Sequence, residues 1–142
     1  MTRRGRCGRW RQWRHWREDR GESAIQMAII FPFVLLATIA VVQGAMWYYA
    51  RQIALTAARE GVSAGRAYQA TPGDGAGRAR EVLARTAGDS LRGYRVSTAG
   101  SDGQRVRIQV SGVAQSMIPG LPGLTVSQSA SGPVERWTVV GE

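Results

Sequence analysis

Residues Ser23–Ala50 read SAIQMAIIFPFVLLATIAVVQGAMWYYA, 28 positions without one charged side chain. As a helix this run is about 42 Å long at about 1.5 Å per residue. A bilayer hydrocarbon core needs only about 20 apolar residues. The run therefore suits a membrane span with a turn or two to spare. Trp47, Tyr48 and Tyr49 close it, where aromatic rings favour the headgroup level. A buried core helix is the competing reading, but the residues beyond it are too few to enclose such a helix on all sides. A cleaved secretory signal has an apolar region of only about 7–15 residues, so a retained anchor fits better. Pro32 lies within the run; in lipid, where unpaired backbone groups are costly, a helix continues past proline with a kink. Gln26, Thr38 and Gln43 are its polar residues. Gln43 and Gly44 suit a helix–helix contact, though chance composition accounts for them equally well.

Charge is concentrated just before the span. Residues 1–20 hold eight arginines against Glu18 and Asp19, a net of +6, out of +9 for all 142 residues. Arginine-rich flanks stay in the cytoplasm, which places the tail inside and residues 51–142 outside. Arg3-Arg4 is a weak twin-arginine signal, since no apolar stretch follows closely. Within the tail, Trp10, Trp13 and Trp16 are each followed by an arginine, Arg11, Arg14 and Arg17. On a helix the tryptophans form one stripe flanked by cations, as in helices that lie on membrane surfaces. A plain topogenic leader and a single-stranded nucleic-acid tract are the rival readings; membrane lipid is preferred as the partner.

One cysteine, Cys7, and one histidine, His15, exclude an intrachain disulfide and a Cys/His zinc site. From Gly21 onward there is no Cys, His or Lys, which removes the usual nucleophile–base pairs. The acids Glu60, Asp74, Glu81, Asp89, Asp102 and Glu135 show no paired spacing. No enzyme activity, metal or cofactor is expected.

Beyond the span, Arg51–Tyr68 is alanine-rich. Ile53, Ala57, Ala64 and Tyr68 share a helical face, with Ala54, Ala58 and Val62 beside it. This reads as the same helix continuing outside, weakened at its end by Gly61 and Gly65. Thr71–Gly75 is a break, and a second helix is expected from about Ala76 to Leu91, with Val82, Leu83, Ala87 and Leu91 inward. Strands are expected from Tyr94 and over Arg105–Ser111, where polar and apolar residues alternate. Further strands are expected over Thr125–Ala130 and Glu135–Val140, interrupted by Ser131-Gly132-Pro133. The fold class is α+β: a long transmembrane helix continuing outside, a second helix, and a three- or four-stranded antiparallel sheet. The expected divisions are 1–21 basic leader, 22–50 span and 51–142 exported head.

Arg20-Gly21-Glu22-Ser23-Ala24-Ile25-Gln26-Met27-Ala28-Ile29-Ile30-Phe31-Pro32 resembles the start of TadE-like proteins, minor pilins or pseudopilins of tight-adherence (Flp-type) pilus machinery. Ala57-Ala58-Arg59-Glu60-Gly61-Val62-Ser63-Ala64 is similar to that family's Ala-Arg-Glu-Gly segment, and Ser129–Glu135 to its final strand. The resemblance implies a basic leader cut between Gly21 and Glu22 by a prepilin peptidase at the cytoplasmic face. It also implies other pilin-like subunits and pilus assembly proteins as partners. In one respect the chain departs from the family: the acid five positions into the mature chain is Gln26 here. Gln hydrogen-bonds but cannot pair ionically with a freed amino terminus. A membrane-resident assembly factor is therefore a second form of the same reading. A single-pass, membrane-anchored envelope binding protein unrelated to pili is the rival from another class.

Overall fold

The computed structural model describes residues 15–136, with side chains from Ser23 onward. Helix α1 runs His15–Gly65 and α2 Pro72–Thr86; strands β1 (Leu91–Ser97), β2 (Arg105–Ala114) and β3 (Thr125–Pro133) follow. The fold is α+β, as the sequence pattern implies. The chain divides into two units, one ending at Val41 and the other starting at Val42.

In the first unit α1 passes through Pro32 without interruption. Every described side chain from Ser23 to Val41 is exposed, Phe33 and Val41 by about seven tenths. Apolar side chains face all directions, as in a helix whose surroundings are themselves apolar.

The second unit is a two-layer sandwich. The strands are antiparallel in the order β1-β2-β3. Along β2, Val106, Ile108, Val110, Gly112 and Ala114 are buried, and the residues between them are exposed or half-buried. That period of two turns one sheet face toward the helices. The inward stripe of α1 begins at the half-buried Gln43, Met46 and Trp47 and continues through Ala50, Ile53, Ala54, Ala57, Ala58, Gly61, Val62 and Gly65. Its three- and four-residue steps are those of one helical face. From α2 come Gly75, Ala76, Ala79, Val82 and Leu83. The core joins these to Leu91, Val106, Ile108, Val110 and Val126.

Small residues set the spacing between α1 and α2. A Cβ added at Gly75 would lie 2.5 Å from the Gly61 carbonyl oxygen and 3.1 Å from the Gly65 Cα. Gly61 and Gly65, which on propensity alone weaken the end of α1, are the residues against which α2 packs.

The element boundaries correct several expectations. Helix α1 ends at Gly65, and Tyr68 is exposed in the turn beyond. Helix α2 starts at Pro72 rather than Ala76 because Thr71-Pro72-Gly73-Asp74 is a capping box, not a bare break. The Asp74 N–H donates to the Thr71 hydroxyl (3.2 Å), and the Thr71 N–H donates to the Asp74 carboxylate (2.8 Å). Proline at the first helical position has no N–H to leave unpaired. The helix stops at Thr86, and Gly88, with φ +46°, turns the chain. Leu91 is therefore the first residue of β1, although it stays buried. Gly93 (φ +58°) sits where the β1–β2 register shifts between Arg92 and Arg95. The strand thus starts at Leu91, three residues before the expected Tyr94. Strand β3 runs through Ser131-Gly132-Pro133, pairing with Arg107, Val106 and Arg105. As an edge strand, it tolerates a terminal proline. The described residues hold three strands; Val134, Glu135 and Arg136 are in none, and the rest of the fourth expected strand lies outside the described residues.

Candidate functional site

The stretch of α1 from Ser23 onward contains a window long and apolar enough to cross a membrane, and none of that window is buried. Its polar residues have distinct surroundings. The Thr38 hydroxyl donates to the Val34 carbonyl at 2.8 Å, which satisfies it within the helix backbone. Gln26 is exposed. Gln43 is half-buried and bound twice: its Oε1 accepts from the Met117 N–H (3.0 Å), and its Nε2 donates to the Gln115 carbonyl (3.5 Å). Gln43 thus holds the β2–β3 loop of its own unit. Gly44, its neighbour, faces open space, with nothing within 4 Å of an added Cβ.

At the far end of the uncharged run, Trp47 packs against the core, and the Arg51 guanidinium lies over its ring at 5.6 Å. Tyr48 and Tyr49 are exposed. The indole thus joins the helix to the core while the two phenols project outward.

The remaining predicted residues divide by position. Gly21 and Glu22 lie within α1, as do Trp16 and Arg17, but their side chains are outside the described residues. Trp10, Arg11, Trp13 and Arg14 lie wholly outside them. Gln26 and Pro32 are brought onto the exposed part of α1.

Two carboxylates of the head are held below their ordinary range. Asp74 is lowered first by the Thr71 hydroxyl, then by the Thr71 N–H. Asp102 is lowered by the N–H groups of Gln104 and Arg105, with Arg105 charge adding to the effect. Both are exposed and organise turns: Asp102 Oδ1 accepts at 2.8 and 2.7 Å in the β1–β2 connection. Among the described residues no group of three or more His, Cys, Asp or Glu is placed to hold a metal ion.

Two features escaped the sequence reading. The Gly61–Gly75 approach carries a faint signal, since glycines four apart in an alanine-rich helix suit close packing. The Gln43–Met117 link carries none, because its partners are 74 positions apart and one is a backbone group.

A family model described as TadE-like protein matches residues 21–63. The matched segment holds the exposed apolar part of α1 and most of the small-residue stripe that packs on the core. No curated protein and no solved structure matches the chain.

Proposed function

We propose that this chain is a membrane-anchored, TadE-like component of a tight-adherence pilus or secretion apparatus, either a pseudopilin or an assembly factor. It acts by association rather than catalysis. The observation that carries this reading is the coincidence of the TadE-like segment, residues 21–63, with an exposed apolar helix that turns into the seat of a folded head.

The physical argument for orientation is the net +6 of residues 1–20. Each arginine near an anionic cytoplasmic leaflet contributes about 1 kcal/mol, so the leader remains inside and the head is exported. Gly21 before Glu22 suits a prepilin peptidase, because a residue without a Cβ lets extended backbone enter a protease cleft. After cleavage, the exposed helix meets lipid and the helices of other pilin-like subunits. Gln26 then offers those helices a hydrogen-bonding amide in place of a carboxylate.

The test is the N-terminal residue of protein purified from membranes of cells with active prepilin peptidase. Glu22 is expected for the natural chain, and Gly21→Leu should retain the leader and the larger mass. Equal masses for the two refute processing. An intact leader together with no co-purifying pilin-like subunit favours the envelope-binding alternative.

A further inference from the structure

We propose that the β2–β3 loop, Gln115–Leu124, is a second lipid-contacting element that seats its aliphatic side chains in the membrane interface beside α1. The inference rests on the reading of α1 as a membrane span.

The composition singles the segment out. Ile108–Val134 is 27 residues without a charged side chain. Within it Met117 is 57% exposed, Leu121 56% and Leu124 50%, with Ile118 at 39%. A patch of large aliphatic groups on a loop is a liability in water and a contact surface where something apolar faces it.

Position identifies what faces it. The loop backbone is bound to Gln43 through both atoms of the carboxamide. Gln43 lies seven residues before the end of the uncharged run at Ala50, about 10 Å along the helix axis. The loop therefore sits alongside uncharged helix. It is on the span side of Tyr48 and Tyr49, whose exposed rings suit the headgroup level.

The loop's backbone fits such a place. Irregular backbone near hydrocarbon is costly because its N–H and C=O groups lack water. Here Pro119 and Pro122 carry no N–H. Leu121 N–H donates to the Ile118 carbonyl (3.2 Å), Ala114 N–H to the Leu124 carbonyl (2.8 Å), and Ile118 N–H to the Ser116 hydroxyl (3.2 Å). With Met117 N–H on Gln43, three of the loop's eight backbone N–H groups bond inside the protein, and the others can reach the water of the membrane interface rather than hydrocarbon. The loop would then give the head a lipid contact of its own besides α1.

The experiment uses the full chain carrying Cys7→Ser, reconstituted at low protein density in vesicles of phosphatidylcholine and phosphatidylglycerol. A bimane fluorophore is attached at a single introduced cysteine: Leu121→Cys in the loop, Leu36→Cys in α1, or Ser101→Cys in the β1–β2 turn. Quenching by spin-labelled lipid is compared with quenching by aqueous iodide. The Leu121 probe should emit to the blue of the Ser101 probe, with several-fold more lipid quenching and several-fold less iodide quenching. A Leu121 probe that behaves like Ser101 while Leu36 is lipid-quenched overturns the loop proposal alone. Iodide quenching at Leu36 as well overturns the span on which it rests. Protection at Leu121 that disappears on dilution with lipid, while Leu36 is unchanged, assigns the loop to a contact between copies and also overturns the proposal.

Discussion

Two glycines of α2 separate helix propensity from helix packing. Replacing glycine by alanine in an exposed helix interior stabilises by up to about 1 kcal/mol. At Gly77 an added Cβ meets nothing within 4 Å, so Gly77→Ala should realise that gain. At Gly75 the same methyl would lie 2.5 Å from the Gly61 carbonyl oxygen. A carbon and a carbonyl oxygen approach comfortably to roughly 3.3 Å, so α1 and α2 must part by roughly 0.8 Å. Both atoms belong to packed helices, and no flexible side chain is there to yield. Overpacking of this kind costs about 1–3 kcal/mol. The propensity gain is common to both variants, so the difference between them isolates the packing cost. For a folded unit of about 100 residues, 1 kcal/mol corresponds to about 4–8 °C in Tm. Gly75→Ala should therefore melt roughly 4–24 °C below Gly77→Ala. Thermal unfolding of the detergent-solubilised chain by near-ultraviolet circular dichroism reads this directly. Equal midpoints, or a higher one for Gly75→Ala, would refute the close approach of α1 and α2.

Thr71→Ala should destabilise the head by about 1 kcal/mol through loss of the N-cap acceptor. Because Asp74 is depressed in the folded state, its contribution is present above the ordinary carboxylate range and lost as pH falls through the folded value. The acid-side decline below about pH 4 should accordingly be shallower in Thr71→Ala, as read by melts at stepped pH. For topology, cysteines introduced at Ser97 or Ser127 should react with an impermeant thiol reagent in cells stripped of any outer barrier, and Cys7 should not; labelling of Cys7 alone reverses the orientation. Gln26→Glu should leave co-purification with pilin-like subunits unchanged or reduced, since an unpaired carboxylate near lipid is costly. A clear gain would show that ion-pair packing is available to this helix.

The long apolar helix was legible because it is written in consecutive residues: 28 uncharged positions need no tertiary context. Strand β2 was legible for the same reason, its alternation from Arg105 onward being local. The misplacements all occurred where a local signal had two meanings. Thr71-Pro72-Gly73-Asp74 reads as a turn until its hydroxyl and carboxylate are seen to bind each other's backbone. Leu91 continues the apolar face of α2 in period, but Gly88 ends the helix and delivers the same side chain to the core from β1. Ser131-Gly132-Pro133 reads as a loop because proline lacks a donor; at the end of an edge strand that donor is not needed. The Gln43 contact was invisible because hydrogen bonds to a distant backbone leave no mark on periodicity.

The TadE-like match covers residues 21–63, and α1 changes its surroundings within that segment. Up to Val41 its described side chains are exposed all round. From Gln43 one face turns inward, and beyond Ala50 that face is built mostly of Ala and Gly. A stripe of small side chains lets another helix and a sheet approach closely without dictating their detailed shape. The matched segment is thus an exposed apolar helix joined to a permissive seat. The matched residues specify little about the sheet placed on it. The loop of the sheet returns to α1, because Met117 and Gln115 meet Gln43. The uncharged character of the loop agrees with the proposed lipid contact at that place. A charged residue at Ile118 or Leu121 would be placed beside the one stretch of helix that carries none.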